Sequence, residues 1–489
     1  MRVLIHCHGG PAIGMGHVAR AAALAEVALD RGHQVAFSGT FEGPLVTERL
    51  ATLGVEVVDE PDLTTYDVVH VDTYLPDGED VARAARAAGV ALLSNLEDGE
   101  FGRRPADLVV DPNLGAERTS RDSGPVLLRG SRWALLRRSV TEHAGQAALA
   151  AEARQVLVVM GGTDPLGVTG AVLDALAATG RGLAVTAIAQ PAGRDELERR
   201  VAGYALDVEL VPPRPDLAAL MLAQDLVVSA AGTAVWELCC LGVPAALVCV
   251  ADNQEAGYRR VLARGAAVGL GSAAHGLDHD AAVATLQQVL GDRALREQLS
   301  AAGTRLVDGR GAWRVVRSWE QLAVRRERPG TAADLWVHPA TEADADALLR
   351  WRDDPVTRAA SRDTGEVGAE QHRAWLAATL ADPGRHLLLA ADDGGDVGTL
   401  RWDRREDGEW EVSVTVAPER RGLSLGAPLL QAGEGWLAAH EPATHTMLAA
   451  VHVDNAASLR LFDTAGYLPD LSPGRDGFLG LVKQRVPTG

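Results

Sequence analysis

The run Met1-Arg2-Val3-Leu4-Ile5-His6-Cys7-His8-Gly9-Gly10-Pro11-Ala12-Ile13-Gly14-Met15-Gly16-His17 opens the chain and decides how the rest of it is organised. An apolar strand leads into a glycine-rich loop, and the loop delivers His17 to the start of an alanine-rich helix. A helix start favours anions, and an imidazole placed there can act as a base near neutral pH. Histidines at such positions are also commonly caps or surface residues, so the loop alone assigns His17 no role.

Length and composition predict several globular domains. A chain of 489 residues exceeds one ordinary core, so about two to four domains are expected. Hydrophobic residues make up 47% and charged residues 23%, which is ordinary for a soluble protein. The net charge is −19 and Lys483 is the single lysine, so the cations are almost all arginines. Such an acidic field opposes nucleic acid and anionic lipid, and neither is expected as a partner.

Targeting and redox features indicate an ordinary cytoplasmic protein. The sequence starts directly with a strand, without a charged-then-apolar leader, and contains no apolar run long enough to span a bilayer. We therefore expect a cytoplasmic location. The cysteines show no metal-like spacing, so we expect structural thiols and no metal site; they are Cys7, Cys239, Cys240 and Cys249.

The first 150 residues alternate apolar strands with helical runs. Strands are predicted at 3–7, 34–37, 55–58, 68–71, 90–94 and 108–110. This alternation predicts a parallel sheet covered by helices on both faces. Ligands of such sheets bind beyond the carboxyl ends of the strands. The loop with Gly14, Gly16 and His17 lies there, as does Asp72 after another strand, so these residues and Arg20 are candidate ligand contacts.

The same pattern restarts at residue 155 and predicts a second α/β domain over 151–325. Its first strand ends in Gly161-Gly162, and a later strand ends in Ser229-Ala230-Ala231 before Gly232-Thr233 opens a helix. The free N–H groups of that helix start suit a diphosphate. Glu237, one turn on, can accept the hydroxyls of a ribose. Asn253-Gln254 follows the next strand and completes the predicted rim.

These polar rims have an ordinary alternative explanation. Glycine, asparagine, aspartate and threonine are the residues that any strand-to-helix turn uses. The recurrence of such rims at successive strand ends favours a binding crevice over plain turn chemistry. A helix is predicted at 301–323, and charge, proline and glycine then indicate a linker at 326–334.

The segment 335–489 has many tryptophans and a different order of elements. Helices are predicted at 342–351 and 370–380, and strands at 387–391, 398–403 and 410–416. Arg421-Gly422-Leu423-Ser424-Leu425-Gly426 then leads into another helix. A strand, a run of small residues and a helix start again form a cradle of N–H groups for a pyrophosphate.

Residues 1–325 resemble the nucleotide-sugar hydrolases of pseudaminic acid biosynthesis, which have two facing Rossmann-like domains of the glycosyltransferase-B type. The resemblance rests on residues 14–17 with Arg20, 128–137, 161–164, and 229–237 with Asn253-Gln254. It implies that His17 is the general base and that the second domain binds UDP. Residues 94–98 lack the pair of aspartates expected after that strand, which leaves the accepted sugar open.

Residues 335–485 resemble GCN5-related N-acetyltransferases, and specifically those that acetylate 4-amino nucleotide sugars. Trp351-Arg352-Asp353-Asp354-Pro355, His372 and Trp375 carry the narrower resemblance, and residues 421–426 the broader one. It implies that acetyl-CoA is the cosubstrate, bound by Val416, Arg421, Gly422, Ser424, Gly426, Asn455 and Ser458. Ser424 stands where glycine is usual. Phe462 stands where many relatives have a tyrosine acid, so another group or water must protonate the thiolate.

Together these resemblances imply a bifunctional enzyme. The second activity acetylates a UDP-4-amino sugar, and the first then hydrolyses the UDP-acetamido sugar to free sugar and UDP. Glu411 or Ser413, on the strand before the cradle, is the candidate base for the amine. Two alternatives stay open, a glycosyltransferase that uses the same cleft and a non-catalytic nucleotide-sugar sensor. The sequence does not define the sugar, its stereochemistry, the acetylated nitrogen or the oligomeric state.

Overall fold

The computed structural model describes residues 1–10, 13, 15–119, 125–161, 164, 167–214, 217–273, 276–323 and 335–487. Gly14, Gly162 and the predicted linker 326–334 therefore lie outside the described residues. The chain divides into two compact units. Unit 1 comprises residues 1–116 and 125–319, and unit 2 is formed mainly by the residues from 320 onward. Unit 1 contains two parallel sheets and unit 2 one mixed sheet.

The first sheet of unit 1 is parallel throughout its described strands, in the order β3-β2-β1-β4-β5-β6-β7. Its strands are nearly continuous apolar runs because helices cover both faces. The strands are β1 (Arg2–Cys7), β2 (Gln34–Ser38), β3 (Glu56–Val57), β4 (Val68–Asp72), β5 (Leu92–Leu96), β6 (Leu108–Asp111) and β7 (Val126–Arg129). The helices within this segment are α1 (Gly16–Asp30), α2 (Pro44–Leu53), α3 (Asp77–Ala87) and α4 (Arg138–Thr141).

The second sheet of unit 1 is also parallel, in the order β10-β9-β8-β11-β12-β13. Its strands are β8 (Gln155–Val159), β9 (Ala184–Ile188), β10 (Asp207–Val211), β11 (Leu226–Ala230), β12 (Ala245–Cys249) and β13 (Val268–Ser272). The accompanying helices are α5 (Val168–Ala178), α6 (Arg194–Val201), α7 (Ala218–Leu222), α8 (Ala234–Leu241), α9 (Glu255–Ala263), α10 (His279–Gly291), α11 (Arg293–Leu306) and α12 (Gly311–Ala323). The first strand of each sheet, β1 in one and β8 in the other, lies inside its sheet. The strand order reverses beside that strand, and such a reversal opens a crevice at the carboxyl ends of the strands.

The sheet of unit 2 has the order β14-β15-β16-β17-β18-β20-β19, in which only β17 and β18 pair in parallel. Its strands are β14 (Trp336–Pro339), β15 (Arg385–Asp392), β16 (Gly395–Glu406), β17 (Glu409–Val416), β18 (Thr446–His452), β19 (Leu468–Leu471) and β20 (Phe478–Gln484). The helices are α13 (Ala345–Asp353), α14 (Pro355–Ala359), α15 (Ala369–Ala381), α16 (Gly426–His440) and α17 (Ala456–Thr464). One apolar cluster fills the face under α16 and α17, and another fills the face under α13 and α15.

The predicted fold class, two facing Rossmann-like domains followed by a mixed α/β domain, is confirmed. One predicted element is wrong, because the helix expected at 301–323 is two helices, α11 and α12. Gly309 between them has a φ of +77°, and Asp308 accepts hydrogen bonds from Arg310 N at 3.0 Å and from the Arg314 guanidinium. The first helix ends at Leu306 with extended backbone at Val307, and the left-handed Gly309 lies in the turn that leads to α12.

Two further observations concern membranes and thiols. Within the described residues, no helix combines the length and the apolarity needed to cross a bilayer. All four cysteines are buried and reduced. Burial raises the pKa of the Cys239 and Cys240 thiols to about 12, so both are protonated near neutral pH.

Candidate functional site

The candidate base His17 lies in the first turn of α1, beside the end of β4. Its Nδ1 is 2.6 Å from Asp72 Oδ1, and Arg20 holds the same carboxylate with Nε 2.9 Å from Oδ2 and Nη2 2.8 Å from Oδ1. His17 and Arg20 stand one turn apart on α1, so both reach Asp72. All three side chains are at most 8% exposed.

The charge balance of this triad keeps Asp72 ionised. Burial favours a neutral Asp72, but Arg20 and the hydrogen bond with His17 hold the pKa of the Asp72 carboxyl well below its usual range. His17 Nδ1 lies 2.6 Å from this carboxylate and 2.8 Å from Arg20 Nη2, so it faces both an acceptor and a donor. The triad therefore orients the imidazole through Nδ1, and a general base would use the other ring nitrogen, Nε2.

Two aromatic rings and two polar side chains extend the site from His17. The ring of Tyr74 lies edge-on to His17, with centroids 4.4 Å apart, and Phe101 lies 5.6 Å beyond. The Tyr74 hydroxyl donates to Asp98 Oδ2, and Asn113 Nδ2 donates to Asp98 Oδ1 at 2.7 Å. Burial and the neighbouring Asp98 raise the pKa of Tyr74, so this phenol stays protonated.

A cavity of about 540 Å³, including its open mouth, lies in unit 1 between the two parallel sheets. Its lining combines both halves of the unit: Gly16, Ala19, Arg20, Leu96, Glu97, Asp98, Pro112, Asn113, Leu135, Leu136, Arg137, Thr233, Trp236 and Glu237. His17 is not among these residues, although its neighbours Gly16 and Arg20 are. The predicted residues from the two domains, Gly16 and Arg20 against Thr233 and Glu237, therefore meet at one cleft.

The predicted diphosphate end of the cleft is the start of α8. Thr233 is its N-cap residue, and a Cβ on Gly232 would lie 3.6 Å from Gln254 Nε2. Gln254 is itself held by a hydrogen bond from the Val250 N–H at 3.1 Å. The bare glycine leaves room for an anion at this helix start, where the Val235 and Trp236 N–H groups donate to Gly232 O and Thr233 O at 3.1 Å each.

The remaining predicted nucleotide residues have different surroundings. Glu237 accepts a hydrogen bond from Arg137 Nη2 at 3.0 Å, so an arginine of the first half already holds the predicted ribose ligand. Asn253 is exposed in a short 3-10 turn and does not line the cavity. Gly161 ends β8 with a φ of +76°. Arg137 and Trp236 were not predicted as site residues, although Arg137 ends the run 128–137 that carried the resemblance.

One group of three potential metal ligands occurs among the described residues, formed by His6, His8 and Asp77. Asp77 Oδ2 lies 2.8 Å from His8 Nε2 and 3.4 Å from His6 Nε2. The Thr40 N–H, however, donates to His8 Nδ1 at 2.9 Å, which places the proton of a neutral His8 on Nε2. A metal-bound histidine instead donates from its second nitrogen. The Thr40 contact thus disfavours His8 as a metal ligand, although the Nε2 atoms of both histidines are buried beside Asp77 without an aligned hydrogen bond.

In unit 2, β17 and β18 separate where the predicted acetyl-CoA site lies. They pair from Glu409↔Thr446 to Val412↔Ala449, although β17 continues to Val416 and β18 to His452. Beyond Val412 the backbone of β17 has no partner in β18. Such a gap exposes main-chain N–H and C=O groups, including those near Val416, to an extended ligand.

The loop after β17 has a strained backbone at the serine that stands where glycine is usual. Ser424 adopts a φ of +59° and Gly422 a φ of +78°, and α16 starts at Gly426. The Arg421 guanidinium is held by Asp354 at 2.7 Å and by the Thr357 hydroxyl at 2.7 Å. The N–H groups of the loop and helix start, more than the Arg421 side chain, are therefore open to a pyrophosphate.

The other predicted residues of unit 2 are placed as follows. The Glu411 carboxylate is paired with Arg405 at 2.7 Å, whereas Ser413 is exposed on the same face of β17. Asn455 caps α17 by accepting from the Ser458 N–H at 3.0 Å. Phe462 is 3% exposed and packs edge-on against Tyr467, so that position supplies no acid.

Two family descriptions match parts of the chain. Residues 334–467 match the acetyltransferase (GNAT) domain, and residues 130–271 match the glycosyltransferase family 28 C-terminal domain. The chain therefore combines a glycosyltransferase-B-like unit with an acetyltransferase domain, an architecture related to nucleotide-sugar enzymes.

Individual relatives are distant. The chain is similar to the uncharacterized protein MJ1062 of Methanocaldococcus jannaschii, with 22% identity over 378 residues, 73% of each chain. It is also similar to spore coat polysaccharide biosynthesis protein SpsG of Bacillus subtilis, with 27% identity over 179 residues, 35% of this chain and 51% of that protein. The structure of Acinetobacter baumannii MurG is similar with a TM-score of 0.50 and 16% identity, over 65% of this chain and 99% of MurG. That likeness concerns the fold.

Proposed function

We propose that unit 1 hydrolyses a UDP-linked acetamido sugar and that unit 2 acetylates the 4-amine of its UDP-amino-sugar precursor with acetyl-CoA. The observation that carries the first part is the buried triad of His17, Asp72 and Arg20 at a cleft lined from both parallel sheets. Cleavage of a nucleotide sugar by water needs a base for the water and a helix start that can hold the departing diphosphate. The likeness to SpsG supports a role in sugar biosynthesis.

Hydrolysis would proceed by attack of water on the anomeric carbon. The water oxygen forms the new bond to carbon, the bond from carbon to the UDP oxygen breaks, and its electron pair leaves with UDP. His17 Nε2 takes the proton from the water as it attacks. The N–H groups at Gly232 and Thr233 stabilise the charge on the departing diphosphate.

Acetyl transfer in unit 2 would place the thioester in the gap between β17 and β18. The neutral sugar amine attacks the thioester carbonyl, the main chain near Val416 polarises that carbonyl, and coenzyme A leaves as the thiolate. The exposed Ser413 can relay the amine proton to solvent, and water protonates the thiolate, since Phe462 cannot. The pairing of Glu411 with Arg405 makes it the less available of the two predicted bases.

A glycosyltransferase is the second candidate, and the match of residues 130–271 to a glycosyltransferase family favours it. Both reactions need the base, the diphosphate site and the anomeric carbon, and they differ in whether water or an acceptor hydroxyl attacks. Mass analysis of the products from a panel of UDP-amino and UDP-acetamido sugars, with and without sugar acceptors, separates the two. Free sugar and UDP without an acceptor support hydrolysis.

The decisive variant is His17→Asn, compared with the exposed control Asp80→Asn on α3. Loss of a general base is expected to lower UDP release by about 10²- to 10⁴-fold. The control should keep the parental rate. UDP release by His17→Asn at near the parental rate would refute the assignment, and thiol release from acetyl-CoA with a UDP-4-amino sugar tests unit 2 independently.

A further inference from the structure

Arg137 comes from the first half of unit 1 and contacts a side chain of the second half. Its backbone follows the cavity-lining Leu135 and Leu136 and leads into the short helix α4, and its Nη2 donates to Glu237 Oε1 on α8 at 3.0 Å. The two side chains are 8% and 15% exposed. A salt bridge this far from solvent is costly to break unless each charge finds a new partner.

The lining of the cavity is rich in carboxylates. Glu97, Asp98 and Glu237 line it, and Arg20 and Arg137 are the arginines among its described lining residues. A diphosphate in this cavity adds further negative charge beside those carboxylates. The start of α8 offers an anion only the partial positive charge of a helix end. A bound diphosphate therefore needs one of the two arginines as a cation.

Arg20 cannot move to a diphosphate without disrupting the candidate base. Its Nε lies 2.9 Å from Asp72 Oδ2 and its Nη2 lies 2.8 Å from Asp72 Oδ1, and Asp72 is fully buried. Movement of Arg20 would leave that carboxylate without its cation and remove a contact that orients His17. Arg137 differs, because ribose hydroxyls can donate to Glu237 in its place and each charged group then keeps a partner.

Arg137 also lies close to the predicted diphosphate position. Thr233 and Glu237 both line the cavity and stand one helical turn apart at the start of α8, so their Cβ atoms are about 6 Å from each other. The Arg137 guanidinium already contacts Glu237. The long arginine side chain covers the distance of one turn by changing rotamer, with its backbone in place.

We propose that Arg137 is the arginine that binds the diphosphate of the nucleotide sugar, and that its guanidinium moves from Glu237 to the phosphate oxygens as the ribose binds Glu237. A guanidinium matches two phosphate oxygens with parallel N–H bonds. In the proposed hydrolysis Arg137 then also stabilises the charge that collects on the departing UDP. This role rests on the proposed function and supplies the cation of its diphosphate site.

The test compares the affinities of the full chain for UDP and for uridine, which has the ribose but no phosphate. Calorimetry measures UDP directly and uridine by competition with UDP. The ratio of the two affinities reports the phosphate contacts alone. Arg137→Gln is expected to lower this ratio by about 10- to 100-fold through the loss of charge-assisted hydrogen bonds, and uridine should bind at least as tightly as before.

Three further variants define what the ratio means. Glu237→Gln should weaken uridine without lowering the ratio, because it changes the ribose contact and leaves Arg137 in place. Arg137→Lys should retain part of the ratio, because an ammonium keeps the charge without the two parallel N–H bonds. Arg138→Gln is the matched control and should change neither affinity, because Arg138 is an exposed neighbour paired with Asp30.

A purely structural role gives a different result. If Arg137 only holds Glu237 in position, Arg137→Gln weakens UDP and uridine equally. A ratio that falls by less than about threefold in a folded Arg137→Gln variant therefore overturns the role, and a larger fall supports it. If the lone Glu237 carboxylate prevents folding, the double variant Arg137→Gln/Glu237→Gln is compared with Glu237→Gln alone by the same criterion.

Failure of this role and failure of the hydrolase are distinguishable. A ratio that falls in Arg137→Gln, without UDP release from any sugar nucleotide of the panel, supports the role of Arg137 and removes the proposed hydrolysis. UDP release by the unmodified chain, together with an undiminished ratio in Arg137→Gln, supports hydrolysis and removes the role. Absence of UDP binding to the unmodified chain would overturn the role as well, because no diphosphate site would then exist.

Discussion

The chemistry proposed for unit 1 depends on a buried carboxylate, Asp72, as well as on the histidine that it contacts. Asp72 is fully buried at the end of β4, where only an adjacent cation can keep it ionised. Arg20 supplies that charge from the same helix as His17. The triad therefore depends on the register between α1 and β4, and a change at any of its three members removes a contact that orients His17.

Asp72→Asn is expected to lower UDP release by about 10²- to 10⁴-fold, because a neutral amide no longer balances Arg20 or orients His17 through Nδ1 as the carboxylate does. The variant also leaves the buried Arg20 without its carboxylate, which costs about 3–5 kcal/mol of folding free energy. Rates are therefore measured well below the lowered Tm, with circular dichroism as the check on folding. A folded variant that releases UDP at the rate of the exposed control Asp80→Asn would contradict the role given to Asp72.

Asp111 supplies a pH-dependent prediction. Burial raises its pKa from 3.8 to about 6. The folded state therefore binds a proton more tightly than the unfolded state, so this group stabilises the fold fully below pH 4, and the stabilisation is lost as pH rises to about 6. The two pKa values correspond to about 3 kcal/mol of lost stability above that range.

Asp111→Asn should remove this penalty. Above pH 6 we expect the variant to have a higher Tm for unit 1 than the unmodified chain. Its free energy of unfolding should be larger by about 1–2 kcal/mol, a figure that allows for the weaker hydrogen bond from Asn113. Below pH 4 the difference should vanish. Calorimetry of both proteins from pH 4 to pH 8 measures it, and a difference that does not change with pH would show that Asp111 titrates normally.

Ser424 carries backbone strain in the cosubstrate loop of unit 2. A non-glycine residue at a φ of +59° costs about 1–2 kcal/mol. Ser424→Gly is therefore expected to stabilise unit 2 and raise its Tm. The gain in free energy of unfolding is roughly 0.5–1 kcal/mol, because glycine also has greater freedom in the unfolded chain. Gly422→Ala, at a φ of +78°, is the matched opposite and should destabilise. Equal Tm values for Ser424→Gly and the unmodified chain would show that the loop relaxes in solution.

At the scale of elements, the sequence predicts what periodicity and strand ends encode. The central strands of both parallel sheets are continuous apolar runs, and β1, β4, β8 and β11 lie close to their predicted bounds. The strands not predicted are β7, β13, β14 and β20, whose apolar runs are brief or interrupted by glycine. The first three are edge strands, where the hydrophobic pattern is weak because an edge strand needs less burial, whereas β20 lies between β18 and β19.

The candidate site shows the same limit at the level of contacts. Sequence places Gly16, Arg20, Thr233 and Glu237 at strand or helix ends, and the structure brings them to one cavity. The sequence does not predict the pairing of Arg137 with Glu237, because that contact joins residues 100 positions apart in the chain. Nor does it place Asn253, whose polar turn looks the same in sequence whether it faces the cleft or, as here, solvent.

The helix α12 follows the second sheet in the chain but packs on the first sheet of unit 1 through Trp319. This side chain is fully buried, lies tilted against His70 with ring centroids 5.4 Å apart, and donates its indole N–H to Ser94 Oγ at 3.0 Å. Trp319→Ala should cost about 3–5 kcal/mol and lower the Tm of unit 1. Trp336→Ala is the control, because Trp336 is 52% exposed and a surface change stays within about 0.5 kcal/mol. Equal effects of the two substitutions would mean that α12 does not stabilise unit 1.

At the scale of the whole molecule, the chain joins two units with separate cores and separate candidate sites. The triad and the cleft lie entirely in unit 1, and the gap between β17 and β18 with its glycine loop lies in unit 2. Sequence predicts this division, because the alternating apolar pattern of the first 325 residues ends before the tryptophan-rich segment begins. Each unit carries its own helix start proposed to bind an anion, so neither proposed reaction needs a residue of the other.

Paired substitutions test this independence. His17→Asn should abolish UDP release and leave thiol release from acetyl-CoA unchanged. Gly426→Asp should do the reverse, since a carboxylate at the start of α16 repels the pyrophosphate and is expected to lower thiol release by about 10²-fold. Both rates are measured on each full-length variant with the same UDP-4-amino sugar and its acetylated product. If either substitution abolishes both rates in a folded protein, the two reactions share a site and the division into two activities is wrong.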